Sequence, residues 1–315
     1  MSSLPRLRFI AVIAALLVTL GLLASPASAT KPPKVMAALG DSITRAFNSD
    51  GPGCPTGPFL DCAENSWSTG TNPAVDSQYQ RLEASNPGRH LVAYNDAVSG
   101  ARAVHLLSQA EAAAAQHADY VTIEIGANDA CGSTSTATFR GQIEAALQAL
   151  VGGDSKVYIQ MLSIPDINQL HALFTNPPDP NALLRWEVLS VCQALLANPL
   201  STAPADVARR EAFRAHVMEL NQALGDVCAQ FKRCLFDDNA VFNTSFTTAD
   251  VATVTDTEGL NIFPFNAIPV IGPGYANSTA DYFHPSLQGQ RELARGSWEA
   301  TFRDFVLRRN GLLSR

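Results

Sequence analysis

Short apolar runs punctuate this chain, each stopping at a small or polar residue. They read as strands: Val35–Leu39, a buried one, before Gly40, Leu91–Tyr94 before Asn95, "YVTIEI" at Tyr120–Ile125, "VYIQML" at Val157–Leu162, and the shortest, Leu235–Phe236 before Asp237. Helical stretches lie between them. Ala101–His117 is alanine-rich and free of Gly and Pro, Thr138–Leu150 carries apolar residues at helical spacing, Ala205–Phe231 has the same character, and Pro285–Arg309 closes the chain. Strands alternating with helices predict an α/β sandwich on a mostly parallel sheet. Such sheets gather their chemistry at the carboxyl ends of the strands. Ser42, the stretch Asn95–Gly100 and the stretch Gly126–Asp129 all fall at such ends.

Two segments break the alternation. Residues 48–76 are rich in Gly, Pro, Ser and Thr and hold two cysteines; residues 163–204 contain six prolines and apolar clusters such as "LHALF" and "LLRWEVL". Insertions of this length in a compact domain read as functional loops. The 315 residues otherwise form one domain, without internal repeats or a clear boundary after the N-terminal segment.

The first 29 residues stand apart. Arg6 and Arg8 precede an apolar run from Phe9 to Leu23, and Ala27-Ser28-Ala29 forms a small-residue cleavage site. This pattern predicts a secretory signal peptide cut after Ala29, because the run is short for a membrane span of about 20 residues. Removing it takes away two arginines and no acids, so the formal charge moves from −7 to −9. An acidic surface argues against nucleic acid, whose phosphates need clustered Lys and Arg. An exported chain with six cysteines also predicts disulfides. The sequential pairing, Cys54–Cys62, Cys131–Cys192 and Cys228–Cys234, closes two tight local loops and ties two distant segments. No C-x-x-C or H-x-x-x-H spacing supports a zinc site.

The strand-end serine raises the question of a nucleophile. A serine hydroxyl attacks only when a base takes its proton, and histidine titrates in the right range. His90, His105, His117, His171 and His216 fall in segments read as strand edges, helices or the long insertion, and are expected to be surface or capping residues. His284 differs. It lies in "ADYFHPSLQG" before the last helix, with Asp281 three residues upstream, where a carboxylate can fix the imidazole tautomer. The oxyanion needs donors as well. The Ser42 backbone N–H is one; the N–H of Gly100 in "NDAVSG" and the amide of Asn128 in "EIGANDAC" are two more. Asp41 and Asp129 are expected to brace turns. Glu124, a charge in an apolar strand, is expected to be hydrogen-bonded structure.

Taken in order, G-D-S-I, the glycine of "NDAVSG", G-A-N-D and D-Y-F-H resemble the conserved blocks of the SGNH (GDSL) hydrolase family, from Val35 to about Leu293. "ENSWSTG" followed by "QYQRL", together with "IGANDAC", resembles its phospholipase B-like branch. The resemblance implies a flavodoxin-like three-layer α/β/α sandwich with a five-stranded sheet. It also implies Ser42 as nucleophile, His284 as base, Asp281 as its partner, and Gly100 and Asn128 completing the oxyanion hole with Ser42, with no metal or cofactor. The expected protein is a secreted monomer that cleaves carboxylic esters of lipid-like or other acyl substrates, in transient contact with a lipid surface. A carbohydrate acetyl esterase and a catalytically silent binding protein are the alternatives. Residues 163–204, with Leu170, Leu173, Phe174, Leu183, Leu184, Trp186 and Leu189, are expected either to line an acyl-binding surface beside Ser42 or to pack on the core.

Overall fold

The computed structural model describes residues 33–253, apart from 50–53, 55–58, 86–87 and 89, and residues 281–302. The predicted signal peptide and the end of the predicted last helix lie outside the described residues. Five strands, β1 (Val35–Gly40), β2 (Val92–Asn95), β3 (Tyr120–Glu124), β4 (Tyr158–Met161) and β5 (Cys234–Phe236), hydrogen-bond in the order β2-β1-β3-β4-β5. Every pair is parallel, where a mostly parallel sheet was expected. This is the flavodoxin-like order, in which the direction of winding reverses between β1 and β3. The crevice at that reversal lies just beyond Gly40 and Glu124, which are register partners.

Helices cover both faces. On one, α2 (Ala103–Ala115) packs on α4 (Thr136–Gly153), and α4 packs on α8 (Pro204–Cys228). Leu106, Ala110, Ile143 and Leu147 meet Val121 and Ile123 in the main core. The opposite face of β3 carries Tyr120, Thr122 and Glu124, because successive strand residues point to opposite sides. Here burial is managed with polar pairs. Tyr120 Oη lies 2.5 Å from Gln78 of α1 (Gln78–Ser85) and 2.9 Å from Gln160. Ser68 and Thr122 share a 2.6 Å hydrogen bond. Gln160 Nε2 donates to the Ser297 carbonyl of α9 (Leu287–Ser297) at 2.8 Å. A buried amide or hydroxyl left without a partner costs about 1–3 kcal/mol, so these pairs fix how α1 and α9 seat on the sheet.

The strands follow the hydrophobic pattern to within two residues, and α2, α4 and α8 do so nearly as closely. The irregular segments follow it less well. Helix α1 begins immediately after the first insertion and was not expected. The second insertion is mostly helical: α5 (Asn168–Thr175), α6 (Pro180–Val188) and α7 (Gln193–Leu196) follow the short α3 (Ala127–Cys131) and α4 in chain order. Pro180 occupies the first turn of α6, where proline is tolerated, and Asp179 caps it by accepting from Asn181 and Ala182. The three disulfides pair sequentially, as expected; Cys131–Cys192 ties α3 to the residue before α7. Among the described residues no helix is long and apolar enough to cross a membrane.

Candidate active site

The turn after β1 presents Ser42. Gly40 has φ +146°, and a Cβ there would lie 2.1 Å from the Glu124 carbonyl oxygen, so only glycine lets β1 run this close to β3. Asp41 accepts from the Ile43 N–H at 2.9 Å, and Phe47 N–H returns to the Ser42 carbonyl at 3.0 Å, closing the turn. Asp129 braces the neighbouring turn by accepting from Ala103 N–H at 2.8 Å. Both aspartates hold their turns as expected.

From the other end of the chain, residues 281–284 deliver the imidazole. Tyr282 adopts a left-handed φ of 57°, and the backbone N–H groups of Phe283 and His284 both reach Asp281 Oδ1, at 2.9 and 2.8 Å. His284 Nδ1 is 2.6 Å from Asp281 Oδ2, and its Nε2 is 2.8 Å from Ser42 Oγ. Asp281 takes one more bond, 2.6 Å from Asn48 Nδ2. Sequence reasoning missed Asn48: its only signal was its place on the turn after Ser42, in a segment read as irregular. Behind this loop, Trp186 Nε1 donates to the Tyr282 carbonyl at 3.1 Å, and Phe174 packs edge-on against both Trp186 and Tyr282. Phe174 and Trp186 are thus core braces for residues 281–284, which favours the packing alternative for most of the second insertion. Leu170 alone among its expected acyl contacts borders an apolar cavity of about 70 Å³, with Ile43, Pro165, Ile167, Phe246 and Phe283.

The expected oxyanion donors converge on the same turn. Neither the Ser42 nor the Gly100 backbone N–H has a hydrogen-bond partner among the described residues. Gly100 sits at φ +81° with open space where a side chain would be. Asn128 Nδ2 lies 3.0 Å from the Ala101 carbonyl and 3.4 Å from Asp41 Oδ2, joining the three turns. Of the other histidines, His105 caps α2 by accepting from Arg102 N–H, and His171 bonds the Pro199 carbonyl.

Electrostatics separate the titratable groups. Burial pulls the His284 pKa down, but the charge and hydrogen bond of Asp281, with Asp41 and Asp61 nearby, outweigh it and leave it raised above 6.5. Burial pushes Asp281 up, and the His284 charge with the bonds from His284 and Phe283 more than reverse that, holding it below 3.8. Asp41 is pushed up to about 7 by burial, against the pull of the Ile43 N–H and His284. Glu124 departs from expectation. Both of its oxygens are buried without a hydrogen-bond partner, and burial, then Asp41 and Asp237, push it well above the usual carboxylate range. It is a buried acid without a hydrogen-bond partner, its protonated form favoured, rather than hydrogen-bonded structure.

Residues 38–292 match the model of the GDSL-like Lipase/Acylhydrolase family. The chain belongs to that family. The family's own description names lipases and acylhydrolases, and the phospholipase B-like resemblance has a counterpart among the curated relatives. Phospholipase B1, membrane-associated, from Rattus norvegicus is 29% identical over 52% of this chain, which spans 13% of that relative's length. Solved structures of similar GDSL-like chains include an extracellular lipase from Streptomyces rimosus, 17% identical, with 85% of this chain and 100% of that one covered and a TM-score of 0.43. Phospholipase A1 from Streptomyces albidoflavus NA297 is 15% identical, with 84% and 99% covered and a TM-score of 0.45.

Proposed function

We propose that the chain is a secreted serine hydrolase that cleaves carboxylic esters of lipid-like acyl substrates through an acyl-enzyme at Ser42. The observation that carries this reading is the unbroken chain of hydrogen bonds from Ser42 Oγ through His284 to Asp281, 2.8 and 2.6 Å long. Ser42 Oγ attacks the ester carbonyl while His284 Nε2 takes its proton. Asp281 accepts from Nδ1–H, so Nε2 is the basic nitrogen, and its charge stabilises the imidazolium that forms. The oxyanion develops against the Ser42 and Gly100 N–H groups, and against the Asn128 amide once its long 3.4 Å contact with Asp41 is released. His284 then returns the proton to the leaving alcohol, and water activated by the same imidazole releases the acid. The acyl chain lies along the cavity bordered by Ile43 and Leu170, one residue from the nucleophile in the first case. Export is supported by the N-terminal signal pattern and by three disulfides, which persist in oxidising surroundings.

The test is turnover of a soluble chromogenic ester by the wild type and by Ser42→Ala. The variant should fold normally and lose at least about 10⁴-fold in kcat. A variant retaining a tenth of the wild-type rate would remove Ser42 from the role of nucleophile. A graded acyl series decides the substrate class. A rise in kcat/KM from acetate to hexanoate supports the acyl-chain reading, and a preference for acetate over every longer chain supports a carbohydrate acetyl esterase.

A further inference from the structure

The catalytic geometry assigns directions around Ser42. His284 Nε2 hands its proton to the leaving oxygen, so the alcohol half of a bound ester lies on the imidazole side, while the carbonyl oxygen turns toward Gly100 and Asn128. The imidazole side is aromatic. The Phe47 ring lies 4.9 Å from the imidazole, tilted by 59°, and Phe59 stacks on Phe47 at 6.4 Å and 25°. Phe59 and Leu60 are 42% and 41% exposed, two adjacent large apolar side chains left open beside the partly buried Ser42–His284 pair.

This wall is held in place from several directions. Phe47 N–H donates to the Ser42 carbonyl, Asn48 N–H to the Leu60 carbonyl at 2.9 Å, and Cys62 N–H to the Ala46 carbonyl at 3.3 Å. Phe47 and Asp61 form an antiparallel bridge, and the Cys54–Cys62 disulfide closes the loop that carries Phe59. Asp61 accepts from Arg45 Nε at 3.0 Å and from Ser99 Oγ at 2.5 Å, which fastens the loop to the turn of Gly100. The Arg45 and Asp61 charges at its foot are spent on each other. What remains exposed is an aromatic and aliphatic surface whose own side chains, Phe59 and Leu60, carry no charge, suited to a hydrocarbon rather than to a charged head group.

We infer that Phe47, Phe59 and Leu60 form the subsite for the alcohol half of the ester, so that the enzyme selects esters of apolar alkyl or aryl alcohols. The inference rests on the acyl-enzyme reading and deepens it by naming the half of the substrate this surface recognises.

Two matched series test it. One holds the acyl group as acetate and varies the alcohol through methyl, propyl, hexyl and 2-phenylethyl; the other holds the alcohol as methyl and varies the acyl group from acetyl to hexanoyl. The alkyl alcohols differ little as leaving groups, so kcat/KM within that series reads contact with the wall. The wild type should favour hexyl over methyl acetate by roughly tenfold, from one or two methylenes seated on the rings. In Phe59→Ala that ratio should fall to about twofold, with Phe59→Leu intermediate, while the ratio across the acyl series keeps its wild-type value. A flat alcohol series in the wild type would overturn the inference. So would a Phe59→Ala effect confined to the acyl series, which would assign the wall to the other half of the ester. Failure of the wild type to turn over any ester would remove the acyl-enzyme reading itself, and the inference with it.

Discussion

Asp281 and Glu124 are buried to nearly the same degree, 3% and 0% exposed, yet the fold treats them as opposites. Asp281 is met by the N–H groups of Phe283 and His284, the Asn48 amide and the His284 imidazole, and stays an anion. Glu124 is met by no hydrogen-bond donor and by two neighbouring carboxyls, and stays protonated. Burial therefore does not decide the charge of a carboxyl here. The donors aimed at it do, and those donors come from the turns that also carry Ser42 and His284.

The largest blow to the comparison is Asp281→Asn. The amide oxygen still accepts from the two backbone N–H groups, but the charge is gone and the imidazole loses the acceptor that fixes its tautomer. Initial rates should fall by about 10³- to 10⁴-fold with the fold intact by circular dichroism. Rates within tenfold of wild type would mean that the Asp281 charge does not matter.

Asn48→Ala removes one donor and leaves the carboxylate. A hydrogen bond to a charged group contributes about 1.5–3 kcal/mol, so kcat/KM should fall by roughly ten- to a hundredfold. An unchanged rate would show that the backbone donors and His284 suffice to keep Asp281 ionised.

The pH profile sharpens the contrast further. On the proposed mechanism neutral His284 is the active form, and its pKa is raised, so kcat/KM should fall on the acid side with an apparent pKa above 6.5. Asp41, pushed up to about 7 and so only partly ionised in this range, adds to that rise behind Asp281. Asp41→Asn should therefore move the acid limb to lower pH, by about a unit or less. A limb that stays in place would exclude Asp41 as a contributor.

Glu124→Gln is expected to do least to catalysis. A carboxyl whose folded pKa is raised keeps its proton while the unfolded chain releases it, so it lowers stability as pH rises above its unfolded value near 4.5. Glutamine has no proton to release. The variant should match wild type near pH 4 and equal or exceed it in Tm at pH 7, with rates within about twofold. A Tm at pH 7 well below wild type would show that Glu124 has a partner when ionised.

Much of this was legible in the sequence for a physical reason. The strand runs are mainly apolar, Thr122 and Glu124 of β3 and Gln160 of β4 excepted, and the residues at their ends are free to be polar, so Gly40-Asp41-Ser42 and Gly126-Ala127-Asn128 stand out against their runs. Asp281 and His284 are three residues apart, and their contact is local. Asn48 is 233 residues from Asp281, and no local pattern announces such a bond. The helices of residues 163–204 were hidden by prolines that sit at helix starts and between helices. Glu124 was misread because a buried charge ordinarily finds a donor; whether one is present depends on neighbouring strands, which the order of residues does not show.

The bond from Asn48 to Asp281 also ties chemistry to time. As the chain is synthesised, the serine turn exists long before residues 281–284 do. Until they arrive, Ser42 lacks the imidazole it bonds here and the Asn48 side chain lacks the Asp281 carboxylate. On the proposed mechanism the chain is thus inert throughout its own synthesis, and any species in which residues 281–284 have not docked on the serine turn is inert as well. Activity becomes a report that residues 281–284 have docked on the serine turn.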